Sequence, residues 1–209
     1  MQKGRVFSLR KFGITEFFQK NSFLIILTIC FILGIFLGVF IFDDISALKN
    51  YPQKYIEEYI LARTDMPFLK ILFISSVEFW AVLFFTFFLG TSLFGVITVP
   101  FLLILKGFLY GGITAFLYST YALKGVAFNA VVFVPSVIIF IIVLLIAARE
   151  SIRFSMKLSS LTLNKTLPFN LSQNFKDYCI KYLIFAVVVI FSSLIDALIS
   201  VGILKYFSL

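Results

Sequence analysis

Histidine is absent from the 209 residues. With it go the His-dependent serine and cysteine triads, the H-E-x-x-H metalloproteases, haem ligation by histidine and histidine proton relays. Cysteine occurs twice, at Cys30 inside the first apolar run and Cys179 just before the last. The two would have to meet across about half a bilayer, so neither a disulfide nor a metal site is expected. Charge is scarce: Asp, Glu, Lys and Arg make up 13% of the chain, against about 25% in soluble domains. One stretch, Gly90 to Gly95 (GTSLFG), has the glycine spacing of a phosphate-binding loop. Val96 and Ile97 follow it where such a loop needs Lys and Ser or Thr to hold phosphate and Mg²⁺, which excludes an NTPase. The expectation is a protein that is not an enzyme and carries no cofactor.

What is abundant is apolar. Hydrophobic residues make up 61% of the chain, phenylalanine alone supplies 29, and the mean hydropathy is +1.08. The apolar residues fall in long unbroken runs with neither strict alternation nor a polar helical face, so they read as lipid-facing helices rather than barrel strands. The predicted fold is all-α: a polytopic transmembrane helical bundle of about five spans in a single integral membrane domain. The spans run from Ser22 to Phe42, with Asn21 as N-cap, and from about Ile71 to Leu89, Ser92 to Ser119, Gly125 to Ala148 and Lys181 to Leu204. The first is long for a signal peptide and ends in Phe42-Asp43-Asp44 without a small-residue cleavage site, as an uncleaved anchor would.

Basic residues set the direction. Lys3, Arg5, Arg10, Lys11 and Lys20 lie before the first span, and Arg149, Arg153, Lys157, Lys165, Lys176 and Lys181 fill the connection 149–180 and its far edge. With five spans these segments share one side, so the positive-inside rule makes both cytoplasmic, with the N-terminus inside. The connection 43–70 mixes acids and bases and suits the outer face. Within it, Asn50-Tyr51-Pro52 opens a candidate interfacial helix with Tyr55, Ile56, Tyr59 and Ile60 on one face and Lys54, Glu57 and Glu58 on the other. The net charge of +8 is accounted for by orientation and attraction to membrane lipid, with no nucleic-acid partner required.

Three ionisable residues fall within spans: Glu78, Lys106 and Asp196. Counted from the inner helix ends, all three reach a similar depth near the middle of the bilayer, about 17 to 21 Å in. A central charge costs a few kcal/mol on insertion scales, and pairing inside the bundle is the usual remedy. An acid–base–acid cluster of Glu78, Lys106 and Asp196 is therefore expected. Gly34 with Gly38, and Gly107 with Gly111, form GxxxG pairs that allow close helix approach and are compatible with a homo-oligomer. Pro100 and Pro135 each remove a backbone hydrogen bond and are candidate kinks.

The run FFLGTSLFGVITVPFLLILKGFLYGGITAFL, then GVAFNAVVFVPSVIIF, then SLIDALISVGILKYF, resembles the stage II sporulation protein M family of small polytopic membrane proteins. Its most specific elements are Lys106-Gly107 followed by Gly111, and the acidic position at Asp196. Val201 replaces a proline usual after that acidic phrase, aspartate stands where glutamate is common, and Ser136-Val137 replace a polar Gln-Asn. The resemblance implies a location in the cell membrane and a role in forespore engulfment. There the family member anchors a cell-wall-remodelling complex with two peptidoglycan hydrolases, the stage II sporulation proteins D and P. The competing expectation is a transporter or channel subunit using the midplane Glu-Lys-Asp cluster.

Overall fold

The computed structural model describes residues 14–41, 50–64, 66–163 and 171–203. Lys3, Arg5, Arg10 and Lys11 of the basic tail, Phe42 at the end of the first expected span and Leu204 at the end of the last therefore lie outside the described residues. Six α-helices follow one another: α1 (Ile14–Ile41), α2 (Tyr51–Thr64), α3 (Phe68–Thr91), α4 (Gly95–Phe128), α5 (Val134–Leu163) and α6 (Leu171–Ile203), with a π-helical segment, Asn129–Phe133, joining α4 to α5. Asn21 does not cap α1, which runs through it from Ile14.

Among the described residues four stretches are long and apolar enough to cross a membrane: Asn21–Ile41, Phe68–Thr91, Gly95–Leu161 and Ser172–Gly202. The third has 67 residues, about 100 Å if straight, more than three bilayer cores. It doubles back instead. At Ala122 the backbone leaves the helical region, with φ 46° and ψ −125°. Beyond that point Phe128, Val132 and Phe133 pack in one buried cluster with Ile113 and Leu117, whereas a straight helix would set Ile113 and Phe133 about 30 Å apart. Gly125 permits the reversal, since a Cβ there would fall on the Leu117 carbonyl. Five long apolar limbs result.

The two prolines act differently from one another. Within α4 the backbone departs from helical angles at Ala122, not at Pro100. Pro135 follows the π segment, where the Val134 N–H donates to the Asn129 carbonyl five residues back. Pro135 has no N–H to give the Val131 carbonyl, and lengthening the local repeat by one residue is how a helix accommodates such a gap.

Helix α4 packs chiefly on α1, while α3 packs on α6 and α5. The main core runs along these contacts, from Leu27, Phe79 and Leu103 to Leu144, Tyr178 and Val189, with Phe79 and Phe140 stacked at 4.5 Å. Outward-facing side chains are equally apolar: Phe40, Phe73, Ile97, Phe101 and Leu183 are all exposed. On a water-facing surface such residues would aggregate; facing lipid, they are in their matching solvent.

The α1–α4 seam is built on the two GxxxG pairs, which face each other. A Cβ on Gly34 would fall on the Ile104 carbonyl, one on Gly38 on the Phe108 carbonyl, one on Gly107 on the Phe31 carbonyl, and one on Gly111 on the Ile35 carbonyl. The stretch 149–180, expected as a loop, is helical for most of its length, because α5 continues to Leu163 and α6 begins at Leu171. These extensions are tied side by side. The Glu150 carboxylate accepts from Lys181 at 2.5 Å and Arg153 at 3.2 Å, and Lys157 donates to Asn174 at 3.0 Å. At their base the Ser151 hydroxyl donates to the Thr86 carbonyl at 3.1 Å, and Tyr178 donates to the Phe87 carbonyl at 2.9 Å. The α3–α4 turn is thereby pinned to α5 and α6.

Candidate functional site: a buried carboxylate clamp

Asp196 sits on α6, seven residues before Ile203, hence about 10 Å from that end of the helix. Its side chain is 4% exposed, so every lone pair needs a donor. Four donors converge on it from three other elements. Arg63 of α2 reaches Oδ2 at 2.5 Å, and Ser75 of α3 donates to the same oxygen at 2.6 Å. Tyr59 of α2 donates to Oδ1 at 2.9 Å, with the Ser136 hydroxyl of α5 at 3.4 Å. Ser200, one turn along α6, lies 3.3 Å from Arg63 Nη1 and 3.4 Å from the Tyr59 hydroxyl. The Ser136 contact is the weak one, since its hydroxyl lies nearer the Phe133 carbonyl, at 3.2 Å; the three shorter bonds make this a buried, hydrogen-bonded salt bridge.

The cation in this cluster is Arg63, not Lys106. Among the described residues no ion pair joins Lys106 to Asp196 or to Glu78. Level explains the exchange. Ser75 is seven residues from the start of α3 and Asp196 seven from the end of α6, whereas Lys106 is fifteen residues before the reversal after Tyr121. Measured from the turn that joins α3 to α4, Ser75 stands about 24 Å along its helix and Lys106 about 16 Å, so Lys106 falls about 8 Å short of the clamp. An arginine descending from α2 arrives at the level of Asp196; a lysine on α4 does not.

Helix α2 lies against α4 and α6 rather than free along an interface. Ile56 is buried, Tyr59 is 7% exposed and Arg63 6%. The face is continuous because Tyr55, Tyr59 and Arg63 recur every fourth residue: the Tyr59 and Phe133 rings sit 4.8 Å apart, and the Arg63 guanidinium lies 3.7 Å over the Tyr59 ring. Burial disfavours the Arg63 charge, but Tyr59 and Asp196 beside it reverse the effect, so its pKa moves up. Burial, reinforced by Asp196, pushes the Tyr59 hydroxyl up as well, which keeps it a proton donor.

Glu78 stands at the rim. It is exposed, and its carboxylate accepts from the Tyr55 hydroxyl at 3.2 Å. Glu78 and Asp196 both line a cavity of about 20 Å³, together with Tyr55, Tyr59, Tyr110 and Phe79, with room for roughly one water. The structure therefore brings Glu78 and Asp196 to one cavity and leaves Lys106 off the clamp. The sequence did not point to Arg63, Tyr59, Ser75 and Ser136 as partners of Asp196. The signal for Arg63 was present, since it continues the face of Tyr55, Ile56 and Tyr59 by one more turn.

No curated protein and no solved structure matches the chain. The model of one protein family, stage II sporulation protein M, matches residues 27–201, which takes in the α1–α4 glycine seam, α2, the carboxylate clamp and the α5–α6 extensions. With four apolar stretches long enough to cross a membrane, this membrane protein belongs to the stage II sporulation protein M family.

Proposed function

We propose that the chain is a multi-pass cell-membrane anchor for a cell-wall-remodelling complex acting in forespore engulfment. Its partners in this reading are peptidoglycan hydrolases, the stage II sporulation proteins D and P. The observation that carries the proposal is the clamp on α2. A short helix that does not span is fixed to the bundle by a buried, hydrogen-bonded salt bridge, while its other face, with Lys54, Glu57 and Glu58, stays exposed. A rigidly held, charged ledge on the outer side of the membrane suits holding a wall enzyme in place, and rigid presentation lowers the ordering cost of binding. The test is affinity purification from sporulating cells in a detergent that preserves membrane complexes. Wall hydrolases should co-purify, and a variant with Lys54, Glu57 and Glu58 replaced by Ala should lose them while keeping its own yield. Recovery of no wall enzyme would sink the proposal.

One observation favours the alternative, a transporter or channel subunit: two carboxylates, Glu78 and Asp196, share the cavity described above. Its volume of about 20 Å³ admits one water and no solute, which leaves the anchor the stronger reading. Ion or solute flux into liposomes carrying the purified chain, abolished by Asp196→Asn, would reverse that order.

A further inference from the structure

Two opposite charges on the flank of the bundle lack an ion-pair partner among the described residues. Glu78 on α3 is exposed, and Lys106 on α4 is half-buried. Both belong to candidate membrane spans, yet among the described residues no ion pair joins them. They share one region of the surface: Glu78 and Tyr110 line the same small cavity, and Lys106 is one helical turn before Tyr110 on α4. They are also nearly level. Glu78 is thirteen residues before the end of α3 and Lys106 eleven after the start of α4, so measured from their common turn they stand about 20 and 16 Å deep. Around them the exposed side chains are Ile74, Val77, Phe101 and Leu105.

The chain covers these charges only in part: Glu78 accepts one hydrogen bond, from Tyr55, and Lys106 feels the Glu78 charge without forming an ion pair with it. Helix α1 covers the Gly107 side of α4, leaving Lys106, about 100° round the helix, at the edge of that contact. Phospholipid headgroups lie at the helix ends, about 15 Å or more from either residue, beyond the reach of a lysine side chain. A charge left facing hydrocarbon costs a few kcal/mol, and such residues pair with one another. An acid and a base at one level on one face are self-complementary under a twofold axis along the membrane normal, because the rotation carries each to the other's side.

We propose that this face of α3 and α4 binds a second copy of the chain, with Glu78 of each copy paired to Lys106 of the partner subunit inside an apolar rim. The pairing does not depend on the anchor role, and it assigns the two charges that the clamp leaves out.

Charge exchange between copies tests it. Two differently tagged copies are co-expressed, solubilised in mild detergent, and one is used to capture the other. Wild-type copies should capture each other. Copies that all carry Glu78→Lys, or all carry Lys106→Glu, place like charges together at both contacts, and capture should fall about tenfold or more. Mixing a Glu78→Lys copy with a Lys106→Glu copy restores an opposite pair at one contact and leaves the other contact with its charges exchanged but still opposite, so capture should return to near the wild-type level. If a reversed variant is poorly produced, Glu78→Gln with Lys106→Gln supplies an uncharged chain that should run as a monomer. Absence of wild-type capture would overturn the proposal. So would equal defects in the mixed and unmixed reversals, the outcome expected if Glu78 and Lys106 pair within a single copy.

Discussion

Asp196 and Arg63 are each buried to within a few per cent, so each is tolerable only because of the other. Removing one partner leaves an uncompensated buried charge, a loss of about 3–5 kcal/mol, while replacing both by apolar residues of similar volume is often close to neutral. Asp196→Asn and Arg63→Met should each destabilise the detergent-solubilised chain by about that amount, whereas Arg63→Met with Asp196→Leu should lose much less than the sum. Lys106→Met, outside the clamp, should cost less than about 1 kcal/mol in the isolated chain. Thermal or denaturant unfolding of the four variants reads this directly. Additive losses, or a Lys106 effect as large as that of Arg63, would return Lys106 to the role the sequence first suggested. Asp196 was legible because a carboxylate inside an apolar run stands out. Its partner was not, because an arginine in a mixed connection looks solvated until α2 is seen to dock.

Among the elements, the α1–α4 seam and the reversal in α4 make opposite demands on small residues. At the seam, backbones approach so closely that a methyl group at Gly38 or Gly107 would meet a carbonyl oxygen of the facing helix. Backbone cannot move aside as a flexible side chain can, so Gly38→Ala and Gly107→Ala should each cost about 1–3 kcal/mol through overpacking. Gly202, where an added methyl group would meet nothing within 4 Å, supplies the control: Gly202→Ala should leave the unfolding transition in place. At the reversal the demand is for conformational freedom. Ala122 holds φ 46° and ψ −125°, a sparsely populated region that costs a residue with a Cβ about 1–3 kcal/mol, so Ala122→Gly should raise stability by about 1 kcal/mol; a clear loss would mean that the Ala122 methyl makes a contact outweighing its strain. The two limbs on either side of Ala122 were legible from length alone, since a run from Gly95 to Leu161 exceeds any bilayer. The residue that turns the chain was not, because alanine is the best helix former and nothing in its identity marks a break.

Across the whole molecule, the charges sort by end. Arg149, Arg153, Lys157, Lys176 and Lys181 gather where α5 and α6 project past the bundle, with Glu150 bridging two of them, while the α2 end mixes Lys54, Glu57, Glu58 and Lys70. Translocating a cluster of cations is disfavoured, so the α5–α6 end should face the cytoplasm and α2 the outside. Impermeant maleimide labelling checks this in a chain whose Cys30 and Cys179 are replaced by Ala. Lys54→Cys, at a side chain 76% exposed, should react in intact cells, and Lys176→Cys, also exposed, only after the membrane is opened. The anchor role depends on the first result, because α2 can meet a wall enzyme only from the outer side. Labelling of Lys176→Cys in intact cells, with Lys54→Cys protected, would place the clamped helix in the cytoplasm and remove the surface on which that role rests, while leaving the clamp, the glycine seam and the Glu78–Lys106 face intact.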